Sequence, residues 1–308
     1  VLKQEPGSSG EKTITQAQYF ISNQAVTPER PAPGLYLVAT PIGNLRDITL
    51  RALDILAAAD LVLCEDTRHS AKLFDAYGIR TPRTAFHEHN ERARIEAILD
   101  RLREGAVIAL VSDAGTPLLS DPGFPLVRAA RDADLPVFPV PGPSALLAAL
   151  TGAGLPTDAF LFAGFLPPKT GQRKNALSGF QRQAQTLIFY ESPRRLAASL
   201  ADMAEVFGGA RKAVVALELT KKFERFASGT LEALAAQFDE GETKGEAVIV
   251  VAGDDGTGAA DPAQWQDELE RLMETMALRE AVDAIAQAHG LKRKQVYNEA
   301  LALKARNG

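Results

Sequence analysis

The sequence predicts an α/β protein made of two successive α/β units with a small helical module behind them. Three observations carry that reading. Apolar runs of strand length alternate with longer stretches of helical periodicity from Leu35 to Thr151, and again from Phe160 to Val251. The segments rich in turn residues fall at strand ends, above all in IALVSDAGTPLLSDPGFPLVRAARDADLPVFPVPGPSA, Ile108 to Ala145. There an apolar run breaks into a loop of acids, prolines and glycines, and a second run ends in Pro-Gly-Pro-Ser. Strand ends are where α/β proteins bind ligands, so this stretch reads as a binding crevice. After Gly253 the strand pattern stops and only helical periodicity remains.

Each element has a local reason. Val1 to about Pro33 carries many Pro, Gly and Ser residues with little apolar periodicity, and is expected to be a flexible extension. Leu35–Ala39 reads as a strand, Thr49 as the cap of a helix to about Ala59, and Leu61–Cys64 as a second strand. Glu91–Glu104 is a helix closed by Gly105, and Ala106–Val111 a third strand. Gly123–Arg131 is a helix, Val137–Val140 a fourth strand and Ser144–Thr151 a helix, which implies a mostly parallel sheet covered on both faces. In the second series, Phe160–Phe162, Thr186–Tyr190, Ala213–Leu219, Arg225–Ser228 and Ala247–Val251 read as strands. Arg173–Phe180, Arg194–Val206 and Leu231–Phe238 read as the helices among them. The expected organisation is an extension over 1–33, α/β domains over 34–152 and 153–253, a linker over 254–263 and a helical module over 264–308. A hinge near Gly152 and Gly154 is expected to leave a cleft between the α/β domains.

At 308 residues, with 46% hydrophobic and 24% charged residues, the chain can bury two cores. No apolar run reaches the length of a membrane span and the first residues are polar, so the expected location is cytoplasmic. One cysteine, Cys64, fits a reducing compartment. The net charge of −5 argues against binding nucleic acid by bulk charge and leaves that role to local basic patches.

Several loops carry chemistry. ATPIGNLRDIT (Ala39–Thr49) follows the first strand where a dinucleotide-binding protein places a glycine-rich loop, yet Gly43 is its only glycine, which disfavours a pyrophosphate. LCEDTRHS places Glu65, Asp66, Arg68 and His69 at a strand end, suited to proton transfer or polar recognition, or to a salt-bridged helix cap. His87 and His89 lack a third ligand at metal spacing, so no metal is expected. In SDAGTP, Asp113 can accept two hydrogen bonds while Ala114 and Gly115 let backbone approach a flat ligand; VPGPSA offers the Ser144 hydroxyl at a helix start. FYESPRR and ELTKKFER put Glu191, Thr220 and Lys221 at strand ends of the second unit. PPKTGQRKN supplies Lys169, Arg173 and Lys174, either for phosphates or as a solvated loop. In the tail, Lys292, Arg293 and Lys294 enter the second of two helices around a short turn, a helix-turn-helix arrangement or a packing pair.

Together, ATPIGNLRDIT, EDTRHS, SDAGTPLLSDPG, VPGPSA, FYESPRR, ELTKKFER and KGEAVIVVAG resemble the tetrapyrrole-methylase-like class of S-adenosylmethionine enzymes, and within it the ribosomal RNA small subunit methyltransferase I family. The resemblance implies a tetrapyrrole-methylase-like fold and 2′-O-methylation of a cytidine ribose in the decoding region of 16S rRNA. It also implies a homodimer that uses S-adenosylmethionine and no metal, acting on the rRNA or the 30S particle. Carried over by position, it implies cofactor contacts at Pro41, Ile42, Ser112, Asp113, Ala114, Pro117, Ser144, Ala145, Glu191 and Thr220. Glu65 matches an acid that handles protons in some tetrapyrrole members.

Transfer to a ribose hydroxyl requires alignment with the methyl group and help in losing a weakly acidic proton. Glu65 or Asp66 is the expected base, and Arg68, Lys169, Arg173 and Lys221 the expected phosphate contacts. A methyltransferase acting on a tetrapyrrole or other small molecule would share the cofactor loops but leave the cationic loop and tail unexplained. A non-catalytic RNA-binding protein would leave the loops without a task, and a nucleotide-dependent oxidoreductase lacks its phosphate loop.

Overall fold

The computed structural model describes residues 17–239, 245–256, 262–289, 291 and 293–307. The chain divides into two compact units between Ala145 and Leu146, ahead of the boundary expected at Gly152. The first opens with a hairpin of β1 (Tyr19–Ile21) and β2 (Gln24–Val26), joined by Ser22 and Asn23, both at positive φ. Two consecutive left-handed residues make the turn whose twist matches paired strands. Tyr19 is buried in the unit's core and its hydroxyl donates to Asp54 at 2.9 Å. The flexible extension expected over 1–33 is therefore corrected across this hairpin, while Val1–Thr15 and Gln16 lie outside the described residues. Three-residue strands around Ser-Asn are too short for the alternation to register.

The rest of the unit alternates as expected: β3 (Gly34–Val38), α1 (Leu50–Ala58), β4 (Leu61–Cys64), α2 (Thr67–Tyr77), β5 (Arg83–Ala85), α3 (Glu91–Arg103), β6 (Val107–Val111), α4 (Phe124–Asp132) and β7 (Val137–Val140). The sheet order is β5-β4-β6-β3-β7 and every pairing is parallel. Successive residues of a strand point to opposite faces, and both faces are covered. Tyr36, Val38, Val62, Cys64, Val107 and Ala109 pack with Leu53 and Leu56 of α1 and Leu73 and Phe74 of α2. Leu35, Leu63, Ile108 and Leu110 pack with Ile98 and Leu99 of α3 and Leu126 of α4. Thr49 caps α1, its hydroxyl accepting from Ala52 N at 3.1 Å.

The second unit contains most of α5 (Ala145–Gly152), then β8 (Phe160–Phe165), α6 (Thr170–Ser178), β9 (Thr186–Glu191), α7 (Leu196–Phe207), β10 (Lys212–Leu217), β11 (Arg225–Thr230), α8 (Leu231–Asp239) and β12 (Ala247–Val251). Its sheet runs β11-β10-β12-β9-β8, with β8–β9 parallel and the other pairs antiparallel. Because β10 is antiparallel to β12, and β12 to β9, strands β8, β9 and β10 share one direction. The segments that follow them, from Leu166, Ser192 and Glu218, consequently leave the same sheet edge. Leu187, Phe189, Val215, Leu217 and Ile249 pack against α7 and α8 to form this core.

Beyond it lie α9 (Pro262–Thr275), α10 (Leu278–His289) and α11 (Arg293–Asn307), the last two being the expected pair. Trp265, Leu269, Val282, Ile285, Val296 and Ala300 form a separate small core. Residues 257–261 of the expected linker lie outside the described residues. Among the described residues no helix is long and apolar enough to cross a membrane.

Candidate active site

Because every strand of the first sheet runs the same way, the loops after β3, β4, β6 and β7 leave one edge. The chain turns outward from β4 to β5 on one side and from adjacent β6 towards β7 on the other. Such divergence opens a crevice at the carboxyl ends of the strands.

Hydrogen bonds latch these loops together. Thr40 N donates to Gly115 O at 2.8 Å and Gly115 N returns a bond to Thr40 O at 2.9 Å, closing the loops after β3 and β6 against each other. Gly115 has φ +82°, and a Cβ there would lie 3.3 Å from Ile42 Cγ2. The position needs a left-handed backbone and the approach leaves little room for a side chain. Thr116 Oγ1 donates to Pro143 O at 3.1 Å, tying in the loop after β7. Ile42, Ser112, Pro117 and Ser144 are buried, while Ala114 is exposed. The expected first-unit cofactor positions are thus set on one sheet edge. The Ser144 hydroxyl is buried with no hydrogen-bond partner among the described residues, an arrangement normally costly enough to be avoided.

The loops after β4 and β6 meet through Asp113, whose Oδ1 accepts from Asp66 N at 3.1 Å. Two neighbouring acids then diverge in character. Asp66 Oδ1 accepts from Arg68 N at 2.8 Å as the cap of α2, and its Oδ2 pairs with the Arg68 guanidinium at 2.8 Å. These bonds pull Asp66 down to about 2, which makes it a weaker proton acceptor than an ordinary carboxylate. Burial, followed by the charge of Asp113, raises Glu65 above the usual glutamate range. Asp121, which spacing did not single out, is pushed up to about 6, by burial first and then by the charges of Glu65 and Asp113. Its loop holds two non-glycine residues at positive φ, Leu118 at 74° and Ser120 at 70°. Strain of this kind costs energy and concentrates at functional sites. Sequence periodicity carries no signal for it.

The second unit treats its polar groups differently. Glu191 is 2% exposed; Oε1 accepts from Ser192 N and Arg195 Nε, both at 2.7 Å, and Oε2 from Ser199 Oγ at 2.6 Å. That carboxylate is engaged in tying β9 to α7, which leaves the backbone of Glu191 for the cofactor contact expected there. Arg173, an expected phosphate contact, is likewise engaged within the unit. It is 2% exposed, with Nε 2.6 Å from Asp202 Oδ2 and Nη1 donating to Pro168 O at 3.1 Å. Lys174 pairs with Glu205 at 2.5 Å, and Lys221 with Glu218 at 2.8 Å and Glu246 at 3.3 Å. Lys169 is exposed and has no ion pair among the described residues. Thr220 lies at φ 65° with its hydroxyl buried and unpartnered, and Glu218 beside it at φ 51°. In the tail, Arg293 pairs with Asp283 at 2.5 Å, Lys294 is exposed, and Lys292 lies outside the described residues.

A parallel sheet with latched loops, followed by a mixed sheet, is an α/β architecture that this chain shares with known methylases. Residues 34–235 match the family described as Tetrapyrrole (Corrin/Porphyrin) Methylases, and residues 259–304 match the RsmI C-terminal HTH domain. Among solved structures, the methyltransferase CobJ is similar with TM-score 0.55 and 20% identity, covering 74% of this chain and 97% of that one. A uroporphyrin-III C-methyl transferase from Thermus thermophilus complexed with S-adenyl homocysteine has TM-score 0.52 and 22% identity, covering 71% and 97%. At those identities the likeness speaks for the fold. Curated relatives named ribosomal RNA small subunit methyltransferase I are 51% identical in Mesorhizobium japonicum (92% of this chain, 97% of the relative) and 48% identical in Pseudomonas aeruginosa (87% and 96%). The relative in Escherichia coli O157:H7 is 46% identical (87% and 94%). The chain belongs to the ribosomal RNA small subunit methyltransferase I family.

Proposed function

We propose that this protein methylates small-subunit ribosomal RNA with S-adenosylmethionine as methyl donor, the acceptor being the 2′-hydroxyl of a cytidine ribose in the decoding region. The observation that carries the reading is the latched strand-end crevice of the first unit, where a buried, unpartnered Ser144 hydroxyl lies in the loop set that also presents Asp113 and Glu65. The names of the relatives supply the substrate class.

The residues fit such a donor. Ser144 Oγ has hydrogen-bonding capacity to spare, and the Ala114–Gly115 backbone admits a flat group. Asp113 retains carboxylate capacity beyond its bond to Asp66 N. Pro41, Ile42, Pro117 and Ala145 would supply apolar and backbone contacts. When bound, S-adenosylmethionine supplies an electrophilic sulfonium methyl.

Glu65 orients the ribose hydroxyl and takes its proton as the oxygen attacks. Its raised affinity for protons suits a base better than the acid-shifted Asp66. Exposed Lys169 holds a flanking phosphate, with Arg68, Lys174 and Lys221 available at the cost of their ion pairs. The helical module, with Arg293 and Lys294, adds RNA contacts, and the working form is a cytoplasmic homodimer.

The test is transfer from methyl-labelled S-adenosylmethionine to small-subunit RNA, naked and assembled into 30S particles, with the modified nucleotide mapped. A labelled cytidine 2′-O position is expected; label on another atom or no transfer to either substrate overturns the reading. Truncation after Gly253 should weaken RNA binding while sedimentation still reports a dimer.

A further inference from the structure

Phe165 ends β8 and is 58% exposed, although the next residue, Leu166, is buried. Gly164 at φ +65° sits in an irregularity of the β8–β9 pairing and re-aims the end of the strand. Phe165 meets Tyr190 edge to face at 5.5 Å, while Phe162 braces the other ring at 4.8 Å. The Tyr190 hydroxyl accepts from Leu146 N at 3.2 Å, so this ring is anchored at both ends. Exposed Lys169 follows four residues after Phe165.

A second aromatic leaves the same edge from the segment after β10. Phe223 is 71% exposed, with Lys222 Nζ 5.6 Å from its ring centroid. Strands β10 and β8 are separated in the sheet by β12 and β9, which spaces their ends by about 14 Å. Two exposed rings, each accompanied by a lysine, make a poor solvent surface but suit a polyanion with flat bases.

We infer that Phe165 and Phe223 are base-stacking platforms for unpaired nucleotides of the RNA that carries the acceptor ribose, with Lys169 and Lys222 holding the intervening phosphates. The inference rests on the proposal that RNA is the substrate. Single-stranded RNA is favoured over an apolar partner because cation and ring alternate, the pattern that supports stacking with little base selectivity.

The experiment uses the full chain. Trp265 is the only tryptophan and is buried in the helical module, so Phe165→Trp and Phe223→Trp each add one exposed reporter. Addition of a small-subunit RNA fragment should quench and shift the added emission, whereas S-adenosylmethionine alone should not. Phe165→Ala should raise KM for RNA roughly ten-fold, with kcat and cofactor affinity little changed and recovery in Phe165→Trp. Lys169→Ala should lower the salt dependence of RNA binding by about one counterion.

Unquenched reporters together with an unchanged KM overturn the inference while leaving methyl transfer by the parent protein intact. A change in sedimentation of Phe165→Ala, with RNA binding unchanged, overturns it by assigning the ring to a contact between copies. If the parent transfers no methyl to RNA, the substrate proposal falls and the quenching assay still decides whether the rings meet RNA.

Discussion

The two α/β units use polar residues in opposite ways at their strand ends. In the first, the Thr40–Gly115 latch joins backbone to backbone, the Ser144 hydroxyl has no partner among the described residues, and burial with neighbouring acids raises the proton affinity of Glu65 and Asp121. In the second, side chains are consumed in packing: Glu191 by Arg195 and Ser199, and Arg173 by Asp202. Sheet topology accounts for part of this. An all-parallel sheet gathers its loops at one edge, where backbone can latch backbone. The mixed sheet of the second unit must tie β8 and β9 to α6 and α7 through side chains. A charged residue at a strand end therefore identifies chemistry only when the structure leaves its charge unspent.

The largest effect should come from Glu65→Gln. Loss of a base is worth about a hundred- to ten-thousand-fold in turnover, and labelled-methyl assays should show it with cofactor affinity by calorimetry nearly unchanged. Turnover within a few-fold of the parent would remove Glu65 as the base. In the parent, activity should fall as pH drops through the raised titration of Glu65, because its ionised form is the acceptor. Asp113, Asp66, His87 and His69 contribute to that field.

Arg173→Ala sharpens the contrast from the other side. It leaves Asp202 buried without its main partner, and breaking such a pair costs about 3–5 kcal/mol. Thermal unfolding should reveal the loss. A well-folded variant with weakened RNA binding would instead return Arg173 to the phosphate contacts.

How far this was legible in the sequence follows from the same contrast. Strand and helix positions from Leu35 to Val251 were readable because buried runs such as Val107–Val111 and Ala247–Val251 are apolar throughout. The β1–β2 hairpin, three-residue β5 and polar α2 escaped, since none presents a long apolar face. For the site, motif order singles out loops that the first sheet gathers at one edge. It could not distinguish Glu65 from Asp66, because cap and pairing geometry decide which carboxylate keeps its proton affinity. Asp121 escaped because its character comes from burial and from the charges of Glu65 and Asp113, which periodicity does not reveal.

Asp121→Asn tests whether the first unit gives up stability for its site. A carboxyl raised from 3.8 to about 6 in the folded state favours folding while protonated, and that contribution is lost as pH rises through about 6. Above that pH the ionised group is held where burial and two neighbouring acids disfavour it. The amide should consequently stabilise the protein by about 1–3 kcal/mol at pH 8, with the gain vanishing towards pH 4. Urea unfolding at the two pH values measures the difference, and an equal effect at both would remove Asp121 from the coupled acids.

Thr49→Ala should have the smallest effect, because it removes a helix cap that lies outside the contrast. Loss of the bond from Ala52 N should cost about 1 kcal/mol at any pH. Cofactor binding should be retained, since Thr49 acts on the start of α1 while the latch between Thr40 and Gly115 is made by backbone atoms. A large loss of cofactor affinity in a stable variant would mean that the end of the first loop, and not only its latched beginning, shapes the crevice.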